Sequence, residues 1–150
     1  MILRTHIFRH QGEIPPRFTC DGANVNPPLF IEDIPRDAKS LVLIADDPDA
    51  TRGGTFTHWI IWNIPADTME IEEGQLPRGA VEGRNDFGEE KYGGPCPPRG
   101  SKPHRYMFKL YALDKTLDLP TGSEKDKLER AMEGHILGQT TLMGLYARVV

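Results

Sequence analysis

Glycine and proline interrupt this 150-residue chain so often that long regular elements have little room to form. The chain has 15 glycines and 13 prolines, a share above that of ordinary globular proteins but below that of low-complexity chains. Both residues are unfavourable inside helices, which disfavours a helical bundle or a coiled coil. The length matches a common domain size, so residues 1–150 are predicted to form a single domain.

The apolar segments between these interruptions have the composition of β-strands. Residues 41–45 are apolar throughout and are followed by Asp46-Asp47-Pro48-Asp49, a pattern that predicts a strand buried on both faces. Further strands are predicted where apolar, aromatic or β-branched residues are bounded by turn formers, at residues 28–31, 58–64, 106–113 and 140–150. Within the last of these, Gly144 marks a bulge or a close approach of another chain segment.

One helix is predicted late in the chain. Ser123 is its expected cap, Leu128 and Met132 follow helical spacing together with Ala131, and Gly134 or Gly138 is expected to end it. Strands separated by irregular loops, with one late helix, predict a mainly β fold built as an antiparallel β-sandwich.

The charge pattern excludes some classes of partner and favours none. The formal net charge is −4, which provides no net basic field for a nucleic-acid backbone, so no nucleic-acid partner is expected. The longest apolar run has five residues, far too short for a membrane span. Residues 1–6 do not resemble a secretory signal, so a cytoplasmic protein is expected.

The two cysteines, Cys20 and Cys96, belong to no C-x-x-C pair, which disfavours a zinc site. The usual rule for cytoplasmic proteins favours two reduced thiols. A Cys20–Cys96 disulfide stays open as an alternative, because some hyperthermophiles keep disulfides inside the cell and the low Asn and Gln content points weakly that way.

Residues 78–103 hold ten of the glycines and prolines and show almost no periodicity. Loops of this length inside a compact domain are usually functional or disordered. We expect an ordered, proline-stiffened loop that forms the wall of a site and is anchored by Tyr92.

Polar residues at predicted strand ends are the candidates for chemistry. Asp47 and Asp49 follow the buried strand, and His58 begins the next one. Because side chains alternate along a strand, His104 and Tyr106 should share one face and Arg105 the other. Each residue also has an ordinary structural interpretation: a turn-capping aspartate, a partly buried histidine, or an anchor for the preceding loop.

Short motifs are spread along nearly the whole chain. They are Phe18-Thr19-Cys20-Asp21-Gly22, Asn26-Pro27-Pro28-Leu29, Asp47-Pro48-Asp49-Ala50, His58-Trp59, Asn85-Asp86-Phe87-Gly88, Gly94-Pro95-Cys96-Pro97-Pro98-Arg99-Gly100, His104-Arg105-Tyr106, Gly134-His135-Ile136-Leu137 and Gly144-Leu145-Tyr146. In this order they resemble the phosphatidylethanolamine-binding protein family, in particular its short bacterial and archaeal branch of Raf-kinase-inhibitor-like proteins. Thr51 stands where the family usually has a proline after Asp-Pro-Asp-Ala.

The resemblance implies a β-sandwich with a few peripheral helices and a shallow pocket for phosphate, acetate, cacodylate or a phospholipid headgroup. No catalytic residue, cofactor or metal is expected. A carboxylate near the histidines should raise their pKa, so we expect anions to bind more tightly below about pH 6.5. The implied ligand-binding residues are Asp47, His58, Pro98, His104 and Tyr106, with Gly94 and Pro97 as wall residues and Asp49 as support for the turn.

Other functions stay open at this point. A serine protease inhibitor could act through residues 93–103, and a hydrolase could use Asp47, His58 and His104. Cys96 as a nucleophile and a metal site of two histidines and two aspartates are weaker alternatives. The expected partner is a small anionic or phosphorylated ligand, and a kinase partner, a protease partner and a homodimer are left open.

Overall fold

The computed structural model describes residues 1–50 and 54–149. In that part of the chain, nine strands form two sheets, accompanied by one α-helix and one 3-10 turn. The strands are Ile2–Arg4 (β1), Gly12–Glu13 (β2), Leu29–Glu32 (β3), Ser40–Asp47 (β4), Phe56–Pro65 (β5), Glu70–Ile71 (β6), Val81–Glu82 (β7), His104–Leu113 (β8) and Ile136–Tyr146 (β9); the helix is Lys125–Met132 (α1) and the 3-10 turn is Pro16–Phe18.

The two sheets pack on a shared apolar core, as in a sandwich. The larger sheet has the strand order β2-β9-β8-β4-β5-β7, and the smaller one has the order β1-β3-β6. The shared core includes Leu3 and Ile31 from the smaller sheet and Leu43, Trp59 and Phe108 from the larger one. The mainly β prediction is therefore confirmed.

Strand β4 is buried along its whole length, as its continuous apolar run predicts. Leu41 and Leu43 face the core between the sheets, whereas Val42 and Ile44 face a second core that includes Leu128 of α1. Apolar residues on both faces are stable only where both faces are covered. The helix therefore shields the side of the larger sheet that the smaller sheet leaves open.

Several details differ from the sequence-based predictions. The very short strands β1, β2, β6 and β7 were not predicted, because elements of two or three residues show no periodicity. Strand β2 pairs in parallel with β9, so the sandwich is not wholly antiparallel. Strand β9 runs over Ile136–Tyr146 rather than 140–150, and its register shifts opposite Ala112 and Leu113. Gly144 is a close-approach position, because a Cβ there would overlap the side chain of Ile14.

The helix also begins and ends differently in detail. Its N-cap is Glu124 rather than Ser123, because the Ser123 hydroxyl instead donates to the Pro120 carbonyl at 2.7 Å. The helix ends just before Gly134, whose φ is +79°, a conformation that glycine adopts at little cost. No helix within residues 1–50 and 54–149 is long and apolar enough to cross a membrane.

Cys20 and Cys96 form a disulfide with a Cα–Cα distance of 5.4 Å. The expectation of two reduced thiols is therefore wrong for this structure. The backbone brings the two residues together, since the Cys20 N–H donates to the Pro95 carbonyl at 3.1 Å. The bridged sulfur of Cys96 is also not the free thiolate that a cysteine nucleophile needs.

Candidate functional site

A small cavity lies where one end of β4 meets the beginnings of β5 and β8. The strands are antiparallel, and the ladder places Asp47 opposite Phe56 and Asp46 opposite Met107. Residues far apart in sequence therefore meet at one edge of the sheet. The cavity has a volume of about 120 Å³ and is lined by Asp47, Ala50, Phe56, His58, Phe87, Cys96, Pro97, Pro98, His104 and Tyr106.

Asp47 and His104 form a buried pair at this cavity. The His104 Nδ1 and Asp47 Oδ2 atoms are 2.7 Å apart, and the two side chains are 8% and 5% exposed. The other carboxylate oxygen, Oδ1, accepts a hydrogen bond of 2.7 Å from the Asp49 N–H. Both oxygens of Asp47 thus have protein partners, and the carboxylate fixes the orientation of the His104 ring.

His58 is fixed in a comparable way by the backbone. Its Nδ1 atom lies 2.7 Å from the carbonyl oxygen of Gly93, in the loop that crosses the edge of the sheet. Burial lowers the pKa of His58 below its ordinary value of 6.5, and this outweighs the Gly93 carbonyl and the Asp47 charge, which act in the opposite direction. Asp47 therefore acts on the His58 pKa in the expected direction, but the expected net increase is wrong for His58, because burial has the larger effect.

Aromatic rings form much of the remaining wall. The His58 ring packs edge-on against Tyr106 with a centroid distance of 5.3 Å, and Phe56 packs against Phe87 at 4.7 Å. Burial, with a smaller contribution from Asp47, raises the pKa of the Tyr106 hydroxyl, so this group stays protonated and can donate a hydrogen bond. His104 and Tyr106 are buried and Arg105 is exposed, as the alternation along β8 predicts.

Asp49 lies outside the cavity lining and supports the turn. Its carboxylate accepts from the Arg105 guanidinium at 2.8 and 2.9 Å and from the Arg105 backbone N–H at 2.9 Å. These bonds, of which the side-chain bond has the largest effect, lower the pKa of Asp49 to about 2. The Asp49–Arg105 contact therefore joins the turn after β4 to the second residue of β8.

The segment of residues 78–103, which includes β7, is anchored by Tyr92 as expected. Tyr92 is buried, and its hydroxyl donates to the Phe18 carbonyl at 2.8 Å. Pro97 and Pro98 line the cavity. Gly94 does not: its N–H donates to Asn24 Oδ1 at 2.8 Å, and it packs against residues 18–19. Gly94 is buried next to Gly93, which holds the His58 ring, so its role as a wall residue of a ligand site stays a prediction.

Four lining residues were not predicted as site residues: Ala50, Phe56, Phe87 and Cys96. Phe56 was accessible to sequence analysis, because it precedes His58 by two positions and so shares its face of β5. Phe87 lies in a loop without periodicity, and only the folded chain shows where it packs. Thr51, the departure from the family motif, lies outside the described residues.

Two alternatives can be compared with the geometry. In the stretch of residues 93–103, positions 93–95 and 97 are buried, whereas positions 98–103 are exposed or half-buried. Protease inhibition through this segment stays a prediction. Across residues 1–50 and 54–149, no group of three or more His, Cys, Asp or Glu side chains is placed to hold a metal ion.

Comparisons with known proteins agree on one family. A family model described as phosphatidylethanolamine-binding protein matches residues 4–147. A UPF0098 protein of Methanothermobacter thermautotrophicus is 53% identical over 99% of both chains, and one of Pyrococcus abyssi is 53% identical over 99% of this chain and 86% of its own.

Solved structures give the same result at the level of the fold. A phosphatidylethanolamine-binding protein homologue from Chlamydia trachomatis superposes with a TM-score of 0.92 at 41% identity, covering 97% of this chain and 96% of the homologue. YbcL of E. coli, described as a member of the mammalian family of these proteins, superposes with a TM-score of 0.91 at 29% identity and with the same coverage.

Proposed function

Because the chain belongs to the phosphatidylethanolamine-binding protein family, we propose that the cavity beside β4, β5 and β8 binds a small phosphoryl-type oxyanion. The protein would act as a binding module rather than as an enzyme. The observation that carries this proposal is the pair of histidines, His58 and His104, which line the same cavity with one ring nitrogen of each already held by the protein.

The contacts at Nδ1 hold the rings of His58 and His104 in fixed orientations before a ligand binds. The Nδ1 atom of each ring is bound to a protein acceptor, so Nε2 is the nitrogen that each ring can offer. Two such nitrogens and the Tyr106 hydroxyl supply three polar contacts. The rest of the lining is mostly aromatic rings and prolines, together with the Asp47 carboxylate, whose oxygens already have protein partners. A few oriented polar groups in a mostly apolar recess are typical of a small-ligand site.

The size of the cavity limits the ligand. Its volume of about 120 Å³ is below the roughly 300–1,000 Å³ of pockets that enclose drug-sized ligands. A phosphoryl group fits such a space, whereas the rest of a larger phosphorylated molecule would lie outside, near the exposed Phe87 and Pro98. Regulation of a kinase or protease partner stays a prediction, because a recess of this size is evidence for a small ligand and not for a protein partner.

Isothermal titration calorimetry with inorganic phosphate tests the proposal. His104→Ala removes one ring contact, and a charge-assisted hydrogen bond of about 1.5–3 kcal/mol corresponds to a loss of about ten- to 150-fold in affinity. His135→Ala is the matched control, because His135 forms the same Nδ1–carboxylate pair, with Asp114 at 2.8 Å, in an exposed position away from the cavity. Equal affinities for the wild type and His104→Ala would contradict the proposal.

A further inference from the structure

The Cys20–Cys96 disulfide lies at the wall of the proposed ligand cavity. Cys96 lines that cavity together with the two residues that follow it, Pro97 and Pro98. Both cysteines also line a neighbouring recess of about 130 Å³, which shares Phe87 and Cys96 with the cavity. Cys96 is exposed and Cys20 is half-buried. The disulfide is therefore near the surface, where a small thiol from solution can approach it.

The two prolines of this wall depend on the residues beside them for their position. Neither has a backbone N–H to donate. Across residues 1–50 and 54–149, the hydrogen bond that Pro98 accepts from Ser101 N–H at 3.2 Å stays inside the same loop, and Pro97 accepts none. After the prolines, Gly100 N–H donates to the Arg148 carbonyl at 3.0 Å. The wall is thus held by the disulfide on one side and by the Gly100 bond on the other.

Reduction of the disulfide must displace the side chain of Cys96. Two sulfur atoms that are no longer bonded have to separate to van der Waals distance, and Cys96 is part of the cavity lining. The chain stays attached as far as Pro95, whose carbonyl accepts a hydrogen bond from Cys20 N–H at 3.1 Å. The displacement therefore falls on Cys96 and on the Pro97-Pro98 wall that follows it.

Resting on the proposed function, we propose that Cys20–Cys96 is a site of thiol–disulfide exchange that sets the affinity of the cavity for its oxyanion. The oxidised protein has the wall in place. The reduced protein must restore the wall before it binds, so its affinity is lower. This effect has the same sign whether the freed Cys96 is a thiol or a thiolate, because a thiolate would in addition repel an anion.

The co-reactant of the exchange is a dithiol. Its thiolate attacks one sulfur of the disulfide, the S–S bond breaks, and a mixed disulfide forms. The second thiol of the reductant then closes a disulfide within the reductant and releases the protein. Two electrons and two protons pass to Cys20 and Cys96, which become two thiols.

The affinity and the redox equilibrium report the same coupling. By isothermal titration calorimetry, we expect inorganic phosphate to bind about tenfold more weakly to the wild type in dithiothreitol than to the oxidised wild type, which corresponds to a wall in place for about one-tenth of the time. By linkage, saturating phosphate should make the reduction potential of the disulfide about 30 mV more negative, the equivalent of a tenfold ratio for two electrons. Fluorescence of the buried Trp59 and Trp62 checks that the reduced protein is folded.

The double variant Cys20→Ser with Cys96→Ser is the matched control, because it lacks the bond and has no thiol to exchange. It should bind phosphate as weakly as the reduced wild type, with or without dithiothreitol. A double variant that binds as tightly as the oxidised wild type, or that responds to dithiothreitol, would overturn the inference, because the disulfide would then not be the cause of the difference.

The outcomes separate this inference from the proposed function. Equal phosphate affinities of the oxidised and reduced wild type, or a potential that phosphate does not shift, would overturn the inference and leave the anion site standing. Loss of the native fluorescence on reduction would also overturn it, since redox state would then control folding and not the cavity wall. An oxidised wild type that binds no phosphate would overturn the proposed function and, with it, the redox-dependent affinity.

Discussion

The Cys20–Cys96 disulfide closes a loop with a sequence separation of 76 residues, so the effect of its removal on stability can be worked out. Cross-linking restricts the unfolded chain, and the chain-entropy relation gives about 4.5 kcal/mol for a loop of this length. We expect the double variant Cys20→Ser with Cys96→Ser to lose about this much free energy of unfolding.

The native structure around the disulfide should tolerate the change. Three hydrogen bonds join the same two segments without the sulfurs: Cys20 N–H to the Pro95 carbonyl, Gly94 N–H to Asn24, and the Tyr92 hydroxyl to the Phe18 carbonyl. The loss should therefore arise mainly in the unfolded state. This also predicts a larger denaturant m value for the variant, because its unfolded chain exposes more surface.

Guanidinium unfolding followed by tryptophan fluorescence measures both quantities. The wild type under oxidising conditions is the reference, and the wild type under a strong thiol reductant should behave like the double variant. A loss of less than about 1 kcal/mol would refute the reasoning, because it would mean that the reduced unfolded chain already keeps these segments together. An unchanged m value would contradict the assignment of the effect to the unfolded state.

Two further predictions concern residues beside the cavity. The Asp49–Arg105 ion pair stabilises the fold fully above the ordinary aspartate pKa of 3.8, and this stabilisation is lost as the pH falls toward about 2. Asp49→Asn should therefore lower the free energy of unfolding at pH 7 by about 1–2 kcal/mol, a figure reduced for the screening of this exposed pair by solvent. Unfolding at pH 7 and at about pH 2 checks this, and equal losses at both pH values would contradict it. Gly94→Ala should destabilise by about 1–3 kcal/mol, because its Cβ would overlap the Phe18 carbonyl and Asn24. The matched control in thermal unfolding is Gly138→Ala, because a Cβ there would meet only the Pro35 side chain, at 3.4 Å. An unchanged midpoint for Gly94→Ala would contradict the close-contact argument.

The larger strands follow from local pattern, which is why the sequence predicts them. The run at residues 41–45 became a strand covered on both faces, and the alternation of His104, Arg105 and Tyr106 gave the observed order of buried and exposed side chains. Both features depend on periodicity within one segment. The short strand β2 depends on pairing with β9, far along the chain, and two residues contain no period to detect.

The site shows the same division. The sequence placed Asp47, His58, His104 and Tyr106 at strand ends, and antiparallel pairing brings them to one edge of the sheet. It could not show that Phe87 lines the cavity, because the position of Phe87 depends on how a loop without periodicity packs. That Asp47, His58, His104 and Tyr106 form a ligand site stays a prediction.

The sequence alone determined the approximate positions of the longer strands, the alternation of side chains along β8 and the family resemblance, because these are properties of residue order. Only the tertiary structure decided the disulfide between Cys20 and Cys96, the burial that lowers the pKa of His58, and the acceptors that fix both histidine rings. Those properties depend on distances between segments that are remote in the chain. For this protein, the contacts between remote segments fix the orientation of both cavity histidines and lower the pKa of His58.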